Sequence, residues 1–215
     1  MGPLGRSTSR GTDGRERPSA PKAKEVFALD ATVTSEDPIV LVAADPHWPE
    51  EFRSIAGRLR LVLGDAALRI DHIGSTAVAG LDAKPVIDIQ ISVASLGAEG
   101  AYRGPLESLG YVLHAANPDR SKRFFREPVG GRRTHLHVRR AGSFDEQLNL
   151  LLRDYLRAHA EDRAAYARSK RELAERFRHD REGYVRAKEP TVWSLLLRAH
   201  DWLQETGWSA GPSDA

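Results

Sequence analysis

In Ile70-Asp71-His72-Ile73-Gly74-Ser75-Thr76-Ala77-Val78-Ala79-Gly80-Leu81-Asp82-Ala83-Lys84-Pro85-Val86-Ile87-Asp88-Ile89-Gln90-Ile91, two β-rich runs flank a Gly-Ser turn. Gly74 allows the backbone to turn sharply after the first run and lets a ligand approach closely. Ser75 and Thr76 then open a short helix, whose free N–H groups and dipole favour a phosphate. In the second run, strand alternation sets Val86, Asp88, Gln90 and Ser92 on one face. Ile87, Ile89, Ile91 and Val93 take the other, which is the buried one. A carboxylate therefore projects from a rigid strand beside a phosphate-binding turn. Mg²⁺ takes carboxylate and phosphate oxygens together, so this is the geometry that a Mg²⁺–triphosphate complex needs. A Gly-Ser turn alone, or one Asp on a half-exposed strand, is common without any ligand. The combination of strand, turn, strand and Asp carries the signal.

Around this stretch the 215 residues suit one well-packed domain with small additions. Residues 1–37 are rich in Gly, Ser, Thr, Pro and Arg and read as a disordered basic tail, with Val26, Phe27 and Leu29 as its candidate contacts to the domain. Residues 38–142 read as an α/β core, with an edge strand at 39–42. A helix opens at Pro49, and Trp48, Phe52, Ile55, Leu59 and Leu63 make its apolar stripe before Gly64 ends it. Strands are expected at 68–73, 86–93, 111–114 and 134–139. Leu106 and Leu109 mark a short helix that stops at Gly110, and 115–133 reads as a polar, arginine-rich connection. Residues 143–205 read as a helical portion of the same domain. Ser143 and Glu146 resemble a capping box there, with Phe144, Leu148, Leu151, Leu152 and Tyr155 on the buried side. Further helices are expected at 162–177, at 181–188 and from a Thr191 cap to 203, with 206–215 a flexible tail. Strands first and helices afterwards argue for an α+β fold.

Composition sets outer limits. Hydrophobic residues at 40% and charged residues at 29% are ordinary for a soluble globular protein. No apolar run is long enough to span a bilayer, and no apolar leader opens the chain. The absence of cysteine excludes disulfides, thiolate metal sites and a Cys nucleophile. A cytoplasmic location fits all of this. The pI of about 9.0 suggests nucleic acid at first sight. Residues 1–24, however, carry six basic against two acidic residues, a net of +4, while the whole chain carries +2. The remainder sums to −2, so the domain itself is not basic.

His72-Ile73-Gly74-Ser75-Thr76-Ala77-Val78 through Lys84-Pro85-Val86-Ile87-Asp88-Ile89 resembles the signature of the GrpB-like (UPF0157) proteins, a branch of the nucleotidyltransferase (polymerase-beta-like) superfamily. The resemblance continues in Lys122-Arg123-Phe124-Phe125-Arg126, in His135-Leu136-His137-Val138 and in Arg153-Asp154-Tyr155-Leu156-Arg157, and it spans about 39 to 203. It implies an α+β fold: a nucleotidyltransferase-like mixed β-sheet with helices on one face, followed by a helical C-terminal portion. It also implies a nucleotide and a divalent metal at the Gly-Ser end. It delivers fold and site better than reaction.

The sequence departs from the superfamily pattern at the acids. Classical members carry Asp-x-Asp or Asp-x-Glu on the strand and a third acid on a neighbour, whereas here the second position is Gln90. An amide oxygen coordinates weakly and brings no charge, so two Mg²⁺ ions would be poorly neutralised. His135 and His137 lie two apart on a strand and face the same way. With Asp88 they could bind a softer metal such as Mn²⁺ or Zn²⁺. One could instead act as general base on an acceptor hydroxyl or amine. The bland alternative is that they hydrogen-bond neighbours or meet solvent.

Between Asp119 and Arg140 stand eight basic residues, with Phe124 and Phe125 interleaved. Guanidinium forks suit phosphate oxygens, so Arg123 and Arg126 are expected on a triphosphate, with Lys84 a further contact and one Phe in the core. The same stretch also reads as an RNA-binding loop or a solvated one. Tyr155 is expected in the core, while Arg153, Asp154, Lys170 and Lys188 either reach the cleft or pair with other helix charges.

The reading is an enzyme that transfers a nucleotidyl group from a nucleoside triphosphate such as ATP to a small acceptor, or activates that acceptor. Gly74, Ser75, Thr76, Lys84, Arg123 and Arg126 would hold the nucleotide. Asp88, Gln90, His135 and His137 would hold the metal (Mg²⁺ or Mn²⁺, with Zn²⁺ an alternative), and Asp88, His137 and His135 would take part in the chemistry. One alternative is a non-catalytic nucleotide- or RNA-binding module with a degenerate metal site, which Gln90 favours. A metal-dependent hydrolase ranks below both, because the Gly-Ser turn would then lack a role.

Overall fold

The computed structural model describes Gly2 and residues 38–215. The tail expected over 1–37, with Val26, Phe27 and Leu29, otherwise lies outside the described residues. Five strands make one sheet in the order β1-β2-β5-β4-β3. They are β1 (Arg69–Ile73), β2 (Ile87–Val93), β3 (Val112–Leu113), β4 (Lys122–Arg126) and β5 (Thr134–Arg140). β2 runs antiparallel to β1 and parallel to β5, and β4 is antiparallel to both β5 and β3. This is a mixed sheet, as the resemblance implies, with the Gly-Ser turn between its first two strands.

The two faces of the sheet differ in chemistry because strand parity sorts the residues. On one face Ile87, Ile89, Ile91 and Val93 of β2 join Leu136 and Val138 of β5 and Phe125 of β4. Helix α1 (Trp48–Leu63) covers them with Trp48, Phe52, Ile55 and Leu59, aided by Leu106 of α2 (Arg103–Ser108). Ile87, Ile89 and Ile91 are fully buried, and each such side chain stabilises the fold by about 1.5–3 kcal/mol. The other face carries Asp88, Gln90, Ser92, His135, His137 and Arg139. It lies under a second helical layer of α3 (Phe144–Ala158), α4 (Ala160–Arg176) and α5 (Arg181–Thr206). That layer has its own core, in which Leu151, Tyr155, Leu156, Leu195 and Leu196 meet Val78 and Leu81 beyond the Gly-Ser turn. A polar sheet face roofed by helices leaves a cleft between them.

Several local expectations are corrected. Residues 39–42 form no sheet strand; only Val42 pairs, by reciprocal backbone bonds with Ala83. The connection 115–133 contains β4, whose basic residues find partners instead of solvent. Helices expected at 181–188 and 191–203 are one helix, α5, with Pro190 inside it. Burial of Tyr184 before the proline and of Val192, Leu195 and Leu196 after it holds both halves in line, although the proline forfeits one helical bond. Asp180, not Thr191, caps this helix, by accepting the Gly183 N–H at 2.7 Å. Glu146 likewise makes no reciprocal box with Ser143, because its carboxylate accepts from Ser92 Oγ (2.5 Å) and from the Gly142 N–H (2.7 Å). Phe144, expected on the buried side of α3, is exposed.

The expected flexible tail is also overturned in part. Beyond Gly207 the chain lies along the free edge of β1, where Ser213 Oγ accepts the Ile70 N–H at 2.8 Å and Asp214 accepts the His72 N–H at 2.9 Å. Arg69 donates to the Gly211 carbonyl at 2.7 Å. An edge strand has unpaired backbone groups, and these side chains satisfy them.

His72 couples this fold to pH. Its ring stacks on Phe52 with centroids 4.8 Å apart, and Nε2 lies 3.0 Å from Thr76 Oγ1. Thr76 donates its own proton to the Val86 carbonyl, so Nε2 of the imidazole is the donor to Thr76. Burial pushes it from 6.5 down to about 4; Asp88 partly offsets that, and Arg157 and Arg153 add to it. The folded pKa lies below the unfolded one, so stability falls as pH drops from 6.5 towards 4. At pH 5 this one group should have cost about 2 kcal/mol relative to pH 8. Urea midpoints across that range should fall in the native chain and fall visibly less in His72→Gln.

Candidate functional site

The Gly-Ser turn and β2 meet at close quarters. Gly74 has φ 71° and ψ −168°, a conformation nearly restricted to glycine. Its Cα faces Asp88 so closely that an added Cβ would lie 2.7 Å from Asp88 Oδ2. Asp88 sits on the second rung of the parallel β2–β5 pair, opposite His135, with His137 two residues further along β5. His135 Nδ1 and His137 Nε2 approach Asp88 Oδ1 to 3.2 and 3.4 Å. The three donor atoms lie within 4.8 Å of one another, the one such group of metal-binding side chains among the described residues. Phe124, paired with His137 from β4, packs its ring against both imidazoles at 5.2 and 5.3 Å.

Electrostatics set the protonation of this cluster. Burial alone would raise the Asp88 carboxyl, but hydrogen bonds with His135 and His137 outweigh it and hold the group well below the usual carboxylate range. Burial, reinforced by the Lys122 ammonium, pushes His137 down to about 4 against the pull of Asp88. At neutral pH the pair is therefore carboxylate and neutral imidazole. These are the forms that ligate a metal. The donor chemistry thus fits a single divalent ion held by Asp88, His135 and His137.

A cavity of about 230 Å³ opens from this cluster between sheet and helices. On one side stand Gly74 and Ser75 with Lys84, Lys170 and Lys188; on the other, Asp119, Lys122, Arg139 and Asn149. Lys170 is buried and donates to Ser75 Oγ at 2.9 Å and to the Asp82 carbonyl. Burial pushes its ammonium down to about 7, with Lys188 adding to the shift and Asp82 opposing it. Burial lowers Lys188 as well, and Asp88 partly offsets this. Tyr166 and Tyr184 wall the same end, with Lys170 4.7 Å from the Tyr166 ring centroid. Thr76 lines the cavity but spends its hydroxyl on His72 and Val86.

Other expected site residues lie elsewhere. Gln90 is fully buried with both ends of its amide engaged by α3: Nε2 donates to the Glu146 carbonyl at 3.2 Å, and Oε1 accepts from Asn149 at 2.9 Å. It is a bracket between sheet and helix, not a ligand. Arg123 shares strand parity with Phe125, so it points to the α1–α2 side and pairs with Glu99 at 2.5 Å. Arg126 has the parity of the site face but pairs with Glu127 at 3.4 Å and lies outside the cavity lining. Arg153 is buried against β1, donating to the His72 carbonyl at 3.2 Å and to Asp214 at 2.8 Å. Both Phe124 and Phe125 are buried, one beneath the histidines and one in the main core. Lys122, Asp119, Arg139 and Asn149 had drawn no expectation as site residues. The parity of Phe124 with His137 was the available signal for Lys122, just as the i, i+4 spacing of Tyr166 and Lys170 was for the α4 wall.

A mixed sheet that presents a glycine turn, a carboxylate–histidine cluster and a lysine-lined cavity on one polar face defines an α+β protein whose site lies between sheet and helices. The chain belongs to the GrpB family, described as GrpB protein, which matches residues 38–198. It is similar to a UPF0157 protein of Pseudomonas aeruginosa, 42% identical over 168 residues that cover 76% of this chain and 69% of that one. It is also similar to a dephospho-CoA kinase of Mycolicibacterium paratuberculosis, 38% identical over 196 residues covering 80% of this chain, which spans only about half (48%) of that protein. Among solved structures, the conserved protein GrpB from Enterococcus faecalis superposes with a TM-score of 0.70 at 25% identity, covering 77% of this chain and 99% of that one. Among the described residues, no helix is long and apolar enough to cross a membrane.

Proposed function

We propose that this protein binds a nucleoside triphosphate with one divalent ion in the cavity and transfers the nucleotidyl group to a small acceptor. The observation that carries this reading is the juxtaposition of the Gly74–Ser75 turn and Lys84, Lys170 and Lys188 with Asp88, His135 and His137 around one cavity. Three lysines against Asp88 favour a polyphosphate, and the turn supplies backbone N–H groups. The acceptor oxygen would attack the α-phosphorus, pyrophosphate would leave, and the acceptor proton would pass to solvent, because an imidazole whose lone pair holds the ion has none left to take it. A divalent ion held by Asp88, His135 and His137 would neutralise charge on the reacting phosphate. Incubation with each triphosphate and a metabolite extract, followed by mass spectrometry, should reveal a nucleotidylated product and pyrophosphate.

Lys170 takes the place that Arg123 was expected to fill. A charge-assisted bond to phosphate is worth about 1.5–3 kcal/mol, so Lys170→Met should weaken triphosphate binding about 10–100-fold. Arg123→Ala, on the opposite face, should leave it unchanged. Affinity of the free enzyme should also decline as pH rises through about 7, where Lys170 loses its proton. Calorimetric titration at two pH values reads all three.

One observation favours the second reading, a non-catalytic nucleotide-binding module: Gln90 is spent on α3, leaving a single carboxylate. Nucleotide-dependent thermal stabilisation without any product would support it. RNA is disfavoured because arginines of the basic stretch are paired within the fold, Arg123 with Glu99, Arg132 with Glu51 and Arg133 with Glu127. The kinase reaction named for the mycobacterial relatives is not carried over. No Gly-Lys pair occurs in the chain, so it has no Gly-x-x-x-x-Gly-Lys phosphate loop.

A further inference from the structure

We infer that Asp88, His135 and His137 form a preassembled centre that takes one first-row transition ion, of the Zn²⁺, Fe²⁺ or Co²⁺ kind, before any nucleotide arrives, and that it discriminates against Mg²⁺. The inference rests on the metal site of the proposed function but not on the nucleotide.

Two imidazole nitrogens and one carboxylate oxygen suit borderline transition ions, whereas Mg²⁺ demands an octahedron of oxygens. The oxygen donors that could convert the site are already committed. Asp71 is fully buried and gripped by Arg69 through two bonds of 3.0 and 2.9 Å. Asp119 lies in the cavity wall but accepts from Ser121 N–H (2.9 Å) and Oγ (2.6 Å) and faces Lys122 and Arg139. Glu146 is held by Ser92 and the Gly142 N–H, and Gln90 by α3. Mg²⁺ would therefore find one uncommitted carboxylate and would depend on phosphate oxygens to stay.

Distances point the same way. Ligand atoms about 2.1 Å from a common ion at tetrahedral to octahedral angles are about 3.0–3.4 Å apart. The Asp88 oxygen lies 3.2 and 3.4 Å from the two histidine nitrogens. The three donors lie within 4.8 Å of one another on adjacent strands, and both rings pack on Phe124, so only the two imidazoles need draw together when an ion enters.

The test uses the whole chain, stripped with a chelator and free of nucleotide. Titration with Co²⁺ should show one ion bound per chain with a visible d–d spectrum. Stoichiometric Zn²⁺ should displace it, while Mg²⁺ at ~100-fold excess should not. His135→Gln and His137→Gln keep side-chain volume, and each should weaken Co²⁺ binding ~100-fold or more, at or beyond the loss expected from removing a mere outer partner. Thermal midpoints show whether the variants fold; if they do not, the native competition with Mg²⁺ decides alone. Absence of Co²⁺ binding without nucleotide, displacement by comparable Mg²⁺, or undiminished binding in a folded His137→Gln would overturn the inference. No nucleotide enters the assay, so these outcomes leave the triphosphate reading standing. Conversely, a failed triphosphate titration leaves this centre standing.

Discussion

Asp88→Asn should abolish metal-dependent turnover, lowering it by ~10³-fold or more, while the chain stays folded. The carboxylate is the only anionic donor of the cluster, and both histidines converge on its Oδ1. Asn keeps the volume and one acceptor oxygen but removes the charge that a cation needs. Side-chain amide nitrogen would also compete for the position of the ion. The backbone consequence is small, because Asp88 is half-buried at the mouth of the cavity while the adjacent Ile87 and Ile89 remain fully buried. Turnover with each triphosphate and divalent ion, read beside the thermal midpoint, decides the matter. Unchanged turnover in a folded Asp88→Asn chain would remove Asp88 from the chemistry and leave the non-catalytic module as the better reading.

The same residue shows how far the sequence reaches. The β1–turn–β2 unit was legible because its signals are local: isoleucine alternation fixes which way Asp88 points, and a glycine between two strands fixes the turn. His135 and His137 follow the same parity rule on β5. The residues that surround them were not legible, because their partners are distant along the chain. Lys170 reaches Ser75 across 95 residues, and no local pattern records that approach. β4 was hidden by its own charges, which looked solvated until Asp119, Glu99 and Glu127 supplied partners. Missing that strand also hid its parity, and a shift of one residue exchanges faces. Sequence alone therefore points Arg123 at the phosphate, whereas Lys122 is the neighbour that faces the cavity. Against the superfamily pattern Gln90 reads as a weakened ligand. Its bonds to Glu146 and Asn149 give it a structural task instead. The single helix through Pro190 is a further case, since packing on both sides of the proline overrides a local stop signal that sequence alone would honour.

The second large effect belongs to Gly74→Ala. Two penalties coincide at this position. The backbone conformation, φ 71° and ψ −168°, costs a non-glycine residue about 1–3 kcal/mol. The new Cβ would also lie 2.7 Å from Asp88 Oδ2, 3.2 Å from its Cβ and 3.3 Å from its Cγ. Those last two atoms belong to a short side chain anchored on a buried strand, so they cannot yield as the end of a lysine could. Overpacking of this kind costs about 1–3 kcal/mol more. For a domain whose whole stability is about 5–15 kcal/mol, the sum of about 2–6 kcal/mol should lower the midpoint by roughly 4–24 °C. Relief is available only if the turn moves away from β2 or the Asp88 carboxylate swings off the histidines, and either movement opens the cluster. Stability and metal binding should therefore fall together. Gly80→Ala is the fitting comparison, because Gly80 also has a positive φ of 76° but its added Cβ would meet nothing nearer than Arg163 Nε at 4.0 Å. It should cost only about 1–2 kcal/mol of left-handed backbone strain and leave Co²⁺ binding intact. If Gly74→Ala matched Gly80→Ala in midpoint and metal affinity, the close packing of the turn on Asp88 would have no functional consequence.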